Sequence, residues 1–260
     1  MKKWLVRKPQ KEFAEKILRE SEVTPLCADI LAARGFTSAE DAAKQLNSDG
    51  LSDPFLLKDM REAADVINDA VENFESICIY GDYDCDGITS TVILFSYLEC
   101  MGANVTYYIP ERSEGYGLNA DAVRELAKRG VNLIITVDNG ISAIEESKLI
   151  YELGMRLVVT DHHQPGDELP QAEAVVDPHR KDCPSTFKYL CGAGVALKLV
   201  AALENGDYET ALNEYGEFAT MGTVADVVSL TGENRYIVSN GLRLLENSER
   251  PGVNALIKKS

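Results

Sequence analysis

The sequence predicts an α/β protein, a mostly parallel sheet with helices on both faces, preceded by a helical arm and followed by late helices. Three observations lead there. From Ser76 onward, short apolar runs alternate with amphipathic stretches, the pattern of βαβ units. Before Ser76 and after Gly194 the apolar residues recur only at three-and-four spacing, which is helical. The 260 residues are 45% hydrophobic, 26% charged and 7% aromatic, a globular composition that excludes collagen-like, disordered and membrane classes. Such a length supports one large domain or two smaller ones, and the change of period places a helical arm at residues 1–75 and an α/β domain at 76–260.

Each element has a local reason. Pro9 to Glu20 and Thr24 to Ala33 are amphipathic, and Gly35 stops the second. Ser38 caps a third helix, with Asp41 three residues on as a loose capping box. Asn47 to Pro54 is polar and turn-forming, and Met60 to Asn73 is an amphipathic helix. Ile77–Tyr80 is the first strand, followed by an acidic turn and a helix from Ile88 to Cys100. Strands then fall at Val105–Ile109, Val131–Val137, Arg156–Thr160 and Ala174–Val176. Helices separate them at Ala120–Lys128, ended by Gly130, and Ser142–Leu153, ended by Gly154. Four late helices follow: Val195–Leu203, Tyr208–Glu214, Phe218–Val224 and Tyr236–Glu246.

Charge narrows the function classes. Forty-two acidic residues against 26 basic ones leave −16, so a broad basic face for nucleic acid or an anionic membrane is excluded within this stretch. No window approaches about 18 uncharged apolar residues, so no membrane span is expected. The charged start lacks the apolar core of a signal peptide. Six scattered cysteines without a CxxC pair argue against zinc and disulfide frameworks. A cytoplasmic protein with reduced thiols is the expectation.

In open parallel sheets ligands bind beyond the carboxyl ends of the strands. There the sequence places Asp82, Asp84 and Asp86 after the first strand, Asp138 after the third, and Asp161-His162-His163 after the fourth. Five carboxylates and two imidazoles on one rim repel and trap protons unless a cation joins them. Oxygen ligands with an imidazole suit Mn²⁺ or Mg²⁺, and so many acids suit two ions about 3.5–4 Å apart sharing a carboxylate. That chemistry is hydrolysis of phosphoesters or phosphoanhydrides.

Competing motifs are weaker. Asp82-x-Asp84-x-Asp86-Gly87 copies an EF-hand opening, but position twelve is Ile93 and a strand precedes it. Gly115-x-Gly117-x-x-Ala120 fits a dinucleotide fingerprint yet leaves the acids and histidines unused. His162 reads as a metal ligand; His163 as a phosphate contact or proton donor. His179 is either a turn residue or a substrate contact, and Asp82 either a ligand or an orienting carboxylate. Gly192 and Gly194 open a helix, either as a phosphate cradle or for close packing. Arg112 is either a phosphate clamp or a solvated arginine.

These residues form a known pattern. Asp161-His162-His163 is the signature of the DHH phosphoesterase superfamily, Gly81-Asp-Tyr-Asp-Cys-Asp-Gly87 resembles its first motif, Val137-Asp-Asn-Gly140 its second and Gly222-Thr-Val-Ala-Asp226 its fourth. Within it, Arg112-Ser-Glu-Gly-Tyr-Gly-Leu118, Cys191-Gly-Ala-Gly-Val-Ala-Leu-Lys198, the opening Lys3-Trp-Leu-Val-Arg7 and Asp53-Pro-Phe-Leu-Leu-Lys-Asp-Met60 resemble the RecJ branch, from residue 3 to about 257. The resemblance implies a 5′-to-3′ exonuclease on single-stranded DNA, releasing 5′-mononucleotides in recombination and repair, with helicase or single-strand-binding proteins as possible partners. It implies Asp84 and Asp86 on one ion each, Asp138 bridging, His162 and Asp226 completing the second site and Asp82 in or beside the first. Tyr80 stands where many small-substrate relatives have histidine. The branch continues into DHHA1 and OB-fold domains, expected downstream of Ser260 and able to supply the basic surface lacking here. The alternatives are a phosphodiesterase or pyrophosphatase for small nucleotides, and a non-catalytic replication scaffold.

Overall fold

In the computed structural model, which describes residues 5–46 and 50–259, the chain divides into two compact units, Met1–Gly50 and Leu51–Ser260. The first contains α1 (Lys11–Glu20), α2 (Pro25–Arg34) and α3 (Ala39–Leu46). They close on a small core of Ile17, Ala28, Leu31 and Ala42. Thr24 Oγ1 accepts from the Cys27 amide and caps α2, and the Ser38 hydroxyl accepts from the Asp41 amide at 3.1 Å while donating to its carboxylate at 2.8 Å. The expected turn at Asn47–Pro54 lies partly outside the described residues. Its end, Pro54–Leu56, is a short 3₁₀ turn capped by Asp53.

The second unit holds five parallel strands: β1 (Ile77–Tyr80), β2 (Val105–Tyr108), β3 (Leu133–Val137), β4 (Arg156–Thr160) and β5 (Ala174–Val176). Their order is β2-β1-β3-β4-β5. β1 and β3 are buried along their whole length, as a sheet covered on both faces requires. Alternation assigns the faces: Ile77, Ile79, Ile135 and Val137 meet one helical layer, Cys78, Tyr80, Ile134 and Val159 the other. The first layer contains α4 (Met60–Glu72), α5 (Cys85–Cys100), α8 (Gly192–Leu203) and α9 (Tyr208–Ala225); the second contains α6 (Ala120–Lys128) and α7 (Ile144–Glu152). Because β2 lies to one side of β1 and β3 to the other, the winding reverses between β1 and β3. In open α/β sheets a ligand crevice opens at such a reversal.

The structure departs from expectation at five points. The compact unit that holds the sheet begins at Leu51, earlier than residue 76, because Met60, Ala63 and Ile67 of α4 join its core and α4 packs against α8 and β5. α5 begins at Cys85, so Asp84 is its N-cap and Asp86 lies in its first turn; a helix starting there also excludes an EF-hand loop. The two helices read at 208–224 are one, α9, since Gly216 serves close packing against Leu212 and Leu244 and does not end the helix. α10 (Gly232–Glu246) begins four residues earlier than expected, and α11 (Pro251–Lys259) was not anticipated.

A buried ion pair ties this layer together. Lys198 Nζ on α8 lies 2.6 Å from Glu233 Oε2 on α10 and donates to the Ser52 carbonyl (2.6 Å) and hydroxyl (2.8 Å). Lys198 is 2% exposed, and burial lowers its pKa against the opposing pull of Glu233. Lys198→Ala would strand a buried carboxylate, and unfolding in denaturant should show a loss of about 3–5 kcal/mol.

Candidate metal centre

Three strand ends and one helix end meet at the crevice. After β1, Asp84 Oδ1 accepts from the Gly87 amide at 2.9 Å and starts α5. Gly87 is required: a Cβ there would lie 2.6 Å from the backbone of Asp82. Asp86 is buried in the first turn of α5, and its two oxygens accept from the Gly192 (2.6 Å) and Ala193 (2.8 Å) amides that open α8. After β3, Asp138 takes a left-handed backbone, φ 61°, which few non-glycine residues adopt outside Asn and Asp. After β4 come Asp161, His162 and His163. Asp226 caps the C-terminus of α9.

His162 Nε2 sits among three carboxylates, 3.0 Å from Asp138 Oδ1, 3.6 Å from Asp86 Oδ2 and 3.9 Å from Asp226 Oδ2. Donor atoms of Asp86, His162 and Asp226 lie within 4.8 Å of one another, and so do those of Asp82, Asp84 and Asp138. A third such set joins Asp138 and His162 to His163. Asp138 therefore stands between two clusters. Burial, followed by the charges of Asp86, Asp84 and Asp161, pushes its carboxyl far above the usual carboxylate range. Burial is also the leading cause of the raised pKa values of Asp82 and Asp226.

A divalent cation fits this donor set. Asp82 Oδ1 and Asp138 Oδ1 are buried without a hydrogen-bond partner among the described residues; the 3.0 Å approach of His162 to Asp138 lacks hydrogen-bond alignment. Buried acceptors left open, on carboxylates that repel one another, are what an ion would satisfy. Carboxylate oxygens with one imidazole match Mn²⁺ or Mg²⁺.

Asp161 is turned away from this set. Its oxygens accept from the amides of Ile141 (2.9 Å), His162 (2.7 Å) and His163 (3.2 Å), and from His163 Nδ1 (2.7 Å). Burial opposes its ionisation, yet the hydrogen bond and charge of His163 and the backbone amides bring it below the usual range. Four strand-end carboxylates, not five, face the cluster. The same hydrogen bond, donated by His163 to Asp161, raises the pKa of His163. Tyr116, which sequence reasoning passed over inside its Gly-Tyr-Gly turn, donates to the Asp138 carbonyl at 3.0 Å and lies 3.1 Å from His163 Nδ1.

The remaining candidates separate. His179 is half-buried, and its Nδ1 donates to the His162 carbonyl at 2.7 Å, bracing the loop that carries His162. Arg112 is exposed, its guanidinium 5.0 Å from the centre of the Tyr83 ring. The phosphate-cradle reading of Gly192 and Gly194 does not hold: the first-turn amides are given to Asp86, and the Gly194 amide to Cys191 Sγ. Close packing is their role, for a Cβ on Gly192 would lie 2.5 Å from Asp138 Cβ. Tyr80 points into the opposite layer, where its hydroxyl donates to the Gly117 carbonyl, and adds nothing to the cluster. No helix among the described residues is long and apolar enough to cross a membrane.

Comparison with known proteins agrees with this geometry. The curated single-stranded-DNA-specific exonuclease RecJ of Bacillus subtilis (strain 168) is 44% identical over 261 residues, covering 99% of this chain and 33% of that protein. RecJ of Escherichia coli (strain K12) is 36% identical, covering 92% of this chain and 43% of its own length. The chain thus spans a third to under half of these relatives. A crystal structure of exonuclease RecJ bound to manganese superposes with a TM-score of 0.72 at 38% identity, covering 78% of this chain and 52% of that one. RecJ of Thermus thermophilus in complex with Mn²⁺ gives 0.79 at 33% identity, covering 96% of this chain and 36% of that one. The model of the DHH family N-terminal domain matches residues 76–223, a span that takes in every candidate ligand but Asp226, and the chain belongs to the DHH family.

Proposed function

We propose that this chain carries the catalytic core of a metal-dependent, single-strand-specific 5′-to-3′ DNA exonuclease that releases 5′-mononucleotides. The observation that carries the reading is the pair of donor clusters joined at Asp138, in a chain matched along nearly its whole length by a relative named a single-stranded-DNA-specific exonuclease. Asp82, Asp84 and Asp138 would hold one ion; Asp86, His162 and Asp226 the other, with Asp138 shared. Two divalent ions held there would supply an activated water and charge neutralisation for hydrolysis of a phosphoester.

The protein groups around them orient and donate. α8 holds the Asp86 carboxylate through two amides, fixing the angle at which its oxygens are offered. Asp161 holds the His163 ring by Nδ1, so a protonated His163 presents Nε2–H to a phosphate oxygen. Arg112, stacked on Tyr83 at the rim, is placed to meet a second phosphate. The −16 charge leaves broad backbone contacts to regions that the longer relatives possess. A cytoplasmic setting, with helicase or single-strand-binding proteins nearby, belongs to the same proposal and rests on the RecJ resemblance.

The test is Mn²⁺-dependent release of mononucleotides from a 5′-phosphorylated, 3′-labelled single strand. Stepwise loss from the 5′ end supports the reading; a preference for dinucleotides or pyrophosphate overturns it. His163→Ala divides the roles: turnover should fall by about a hundredfold or more, while the Mn²⁺-induced rise in Tm persists. Loss of that rise would place His163 among the ligands instead.

A further inference from the structure

Beside the metal centre, on the α7 side, lies a cleft of about 380 Å³ that the metal chemistry does not use. One wall is the turn Tyr116–Leu118; the other is the β3–α7 connection from Gly140 to Ala143. Asp161 and His163 close the near end, and Glu146, half-buried on the first turn of α7, stands in its lining beside Ser142. We propose that this cleft seats the nucleobase of the 5′-terminal nucleotide and that Glu146 reads its edge. The role in turnover rests on the nuclease reading; the binding does not.

Size, surface and charge agree on the occupant. The volume lies in the range of small-molecule sites. Leu118, Ile141 and Ala143 give flat apolar contact, each 8% exposed or less. The Tyr116 ring, 55% exposed at the mouth and set edge-on to His163, is a stacking surface of the kind that holds single-stranded bases. The Glu146 carboxylate disfavours phosphate at the α7 end of the cleft, while Asp161 is held by amides and by His163 at the near end. The uncharged part of a nucleotide therefore enters the cleft while the phosphate stays beside His163 at the metal centre. Tyr116 joins the two places, since the hydroxyl of the same side chain donates to the Asp138 carbonyl.

The carboxylate also sets a preference. An ionised Glu146 only accepts hydrogen bonds. Cytosine and adenine offer exocyclic amino groups as donors, whereas thymine presents a carbonyl oxygen at the corresponding position. Deoxycytidine should bind more tightly than thymidine by roughly tenfold, the worth of one hydrogen bond to a charged group.

Free nucleosides isolate the cleft, since they carry no phosphate and need no metal. Titrating them into the 260-residue chain while following backbone amides by NMR should shift Gly117, Leu118, Gly140 and Ile141, with deoxycytidine ahead of thymidine. Glu146→Gln, an isosteric change on a half-buried residue, should bring the two affinities together. Ala143→Trp should fill the cleft and remove both responses, its amide spectrum elsewhere reporting an intact fold. Absence of shifts in the cleft at millimolar nucleoside, or an unchanged preference in Glu146→Gln, overturns the proposal. Either result leaves the nuclease reading standing, and nucleoside binding without DNA hydrolysis would separate the two the other way.

Discussion

Asp138→Asn is expected to abolish turnover, with a loss of at least about a thousandfold, and to raise the stability of the metal-free protein. The two effects share one cause. Asp138 is 2% exposed, and burial together with Asp86, Asp84 and Asp161 opposes its ionisation. An amide of the same shape removes that repulsion, and Asn tolerates the left-handed backbone that φ 61° demands. A gain of about 1 kcal/mol corresponds to roughly 2–4 °C in Tm for a unit of this size. The Mn²⁺-induced rise in Tm should vanish, because Asp138, which the proposed function places between the two donor clusters, would lose its negative charge and one of its two acceptor oxygens. Thermal denaturation with and without Mn²⁺ reads both; a retained metal response would remove Asp138 from the centre of the site.

Gly192→Ala carries the second large effect. The added methyl would lie 2.5 Å from Asp138 Cβ and 2.8 Å from its Cγ and Oδ1, closer than real side chains approach. Either Asp138 shifts or the start of α8 does, and the second would break the amide bonds to Asp86. Mn²⁺ affinity should fall by roughly tenfold or more, with overpacking costing about 1–3 kcal/mol of stability. Gly194→Ala is the comparison: its Cβ would meet only the Leu190 side chain, at 3.1 Å and beyond, which can yield. A phosphate cradle would make both glycines matter for substrate and neither for metal, so isothermal titration of Mn²⁺ into the two variants distinguishes the roles.

Much of this site was legible in the chain because strand ends are local features. A short apolar run ending in an acid is visible without any tertiary information, and Asp82, Asp84, Asp86, Asp138 and His162 were all found that way. Asp226 was not. It caps α9, some sixty residues beyond the end of β4, and only the packing of α9 on α5 and α8 brings it within 3.9 Å of His162. Its one sequence signal was the Gly222-Thr-Val-Ala-Asp226 motif of the family. Tyr116 escaped for a different reason: an exposed tyrosine between two glycines resembles any turn residue until its hydroxyl is seen on the Asp138 carbonyl.

Glycines mark the line between the two kinds of knowledge. Gly35, after α2 at φ 102°, ends a helix as the sequence suggests, because the left-handed cap is a local demand. Gly216, between two segments read as separate helices, lies inside the single helix α9, where its space is needed by Leu212 and by Leu244 of a neighbouring helix. Gly192 reads equally as a phosphate cradle or as a close-packing residue, and its space is needed by Asp138.

The sequence by itself determined the alternation of strands and helices, the residue types of the candidate ligands and the rim on which they stand, because periodicity and residue type are properties of the chain. The tertiary structure decided the rest: that α4 belongs to the sheet, that Asp161 is spent on orienting His163, that α8 gives its amides to Asp86 and that Asp226 reaches the centre. Each of these depends on which distant segment fills a neighbouring space or satisfies a buried donor, and such partners are chosen by packing in three dimensions, where sequence distance carries no weight.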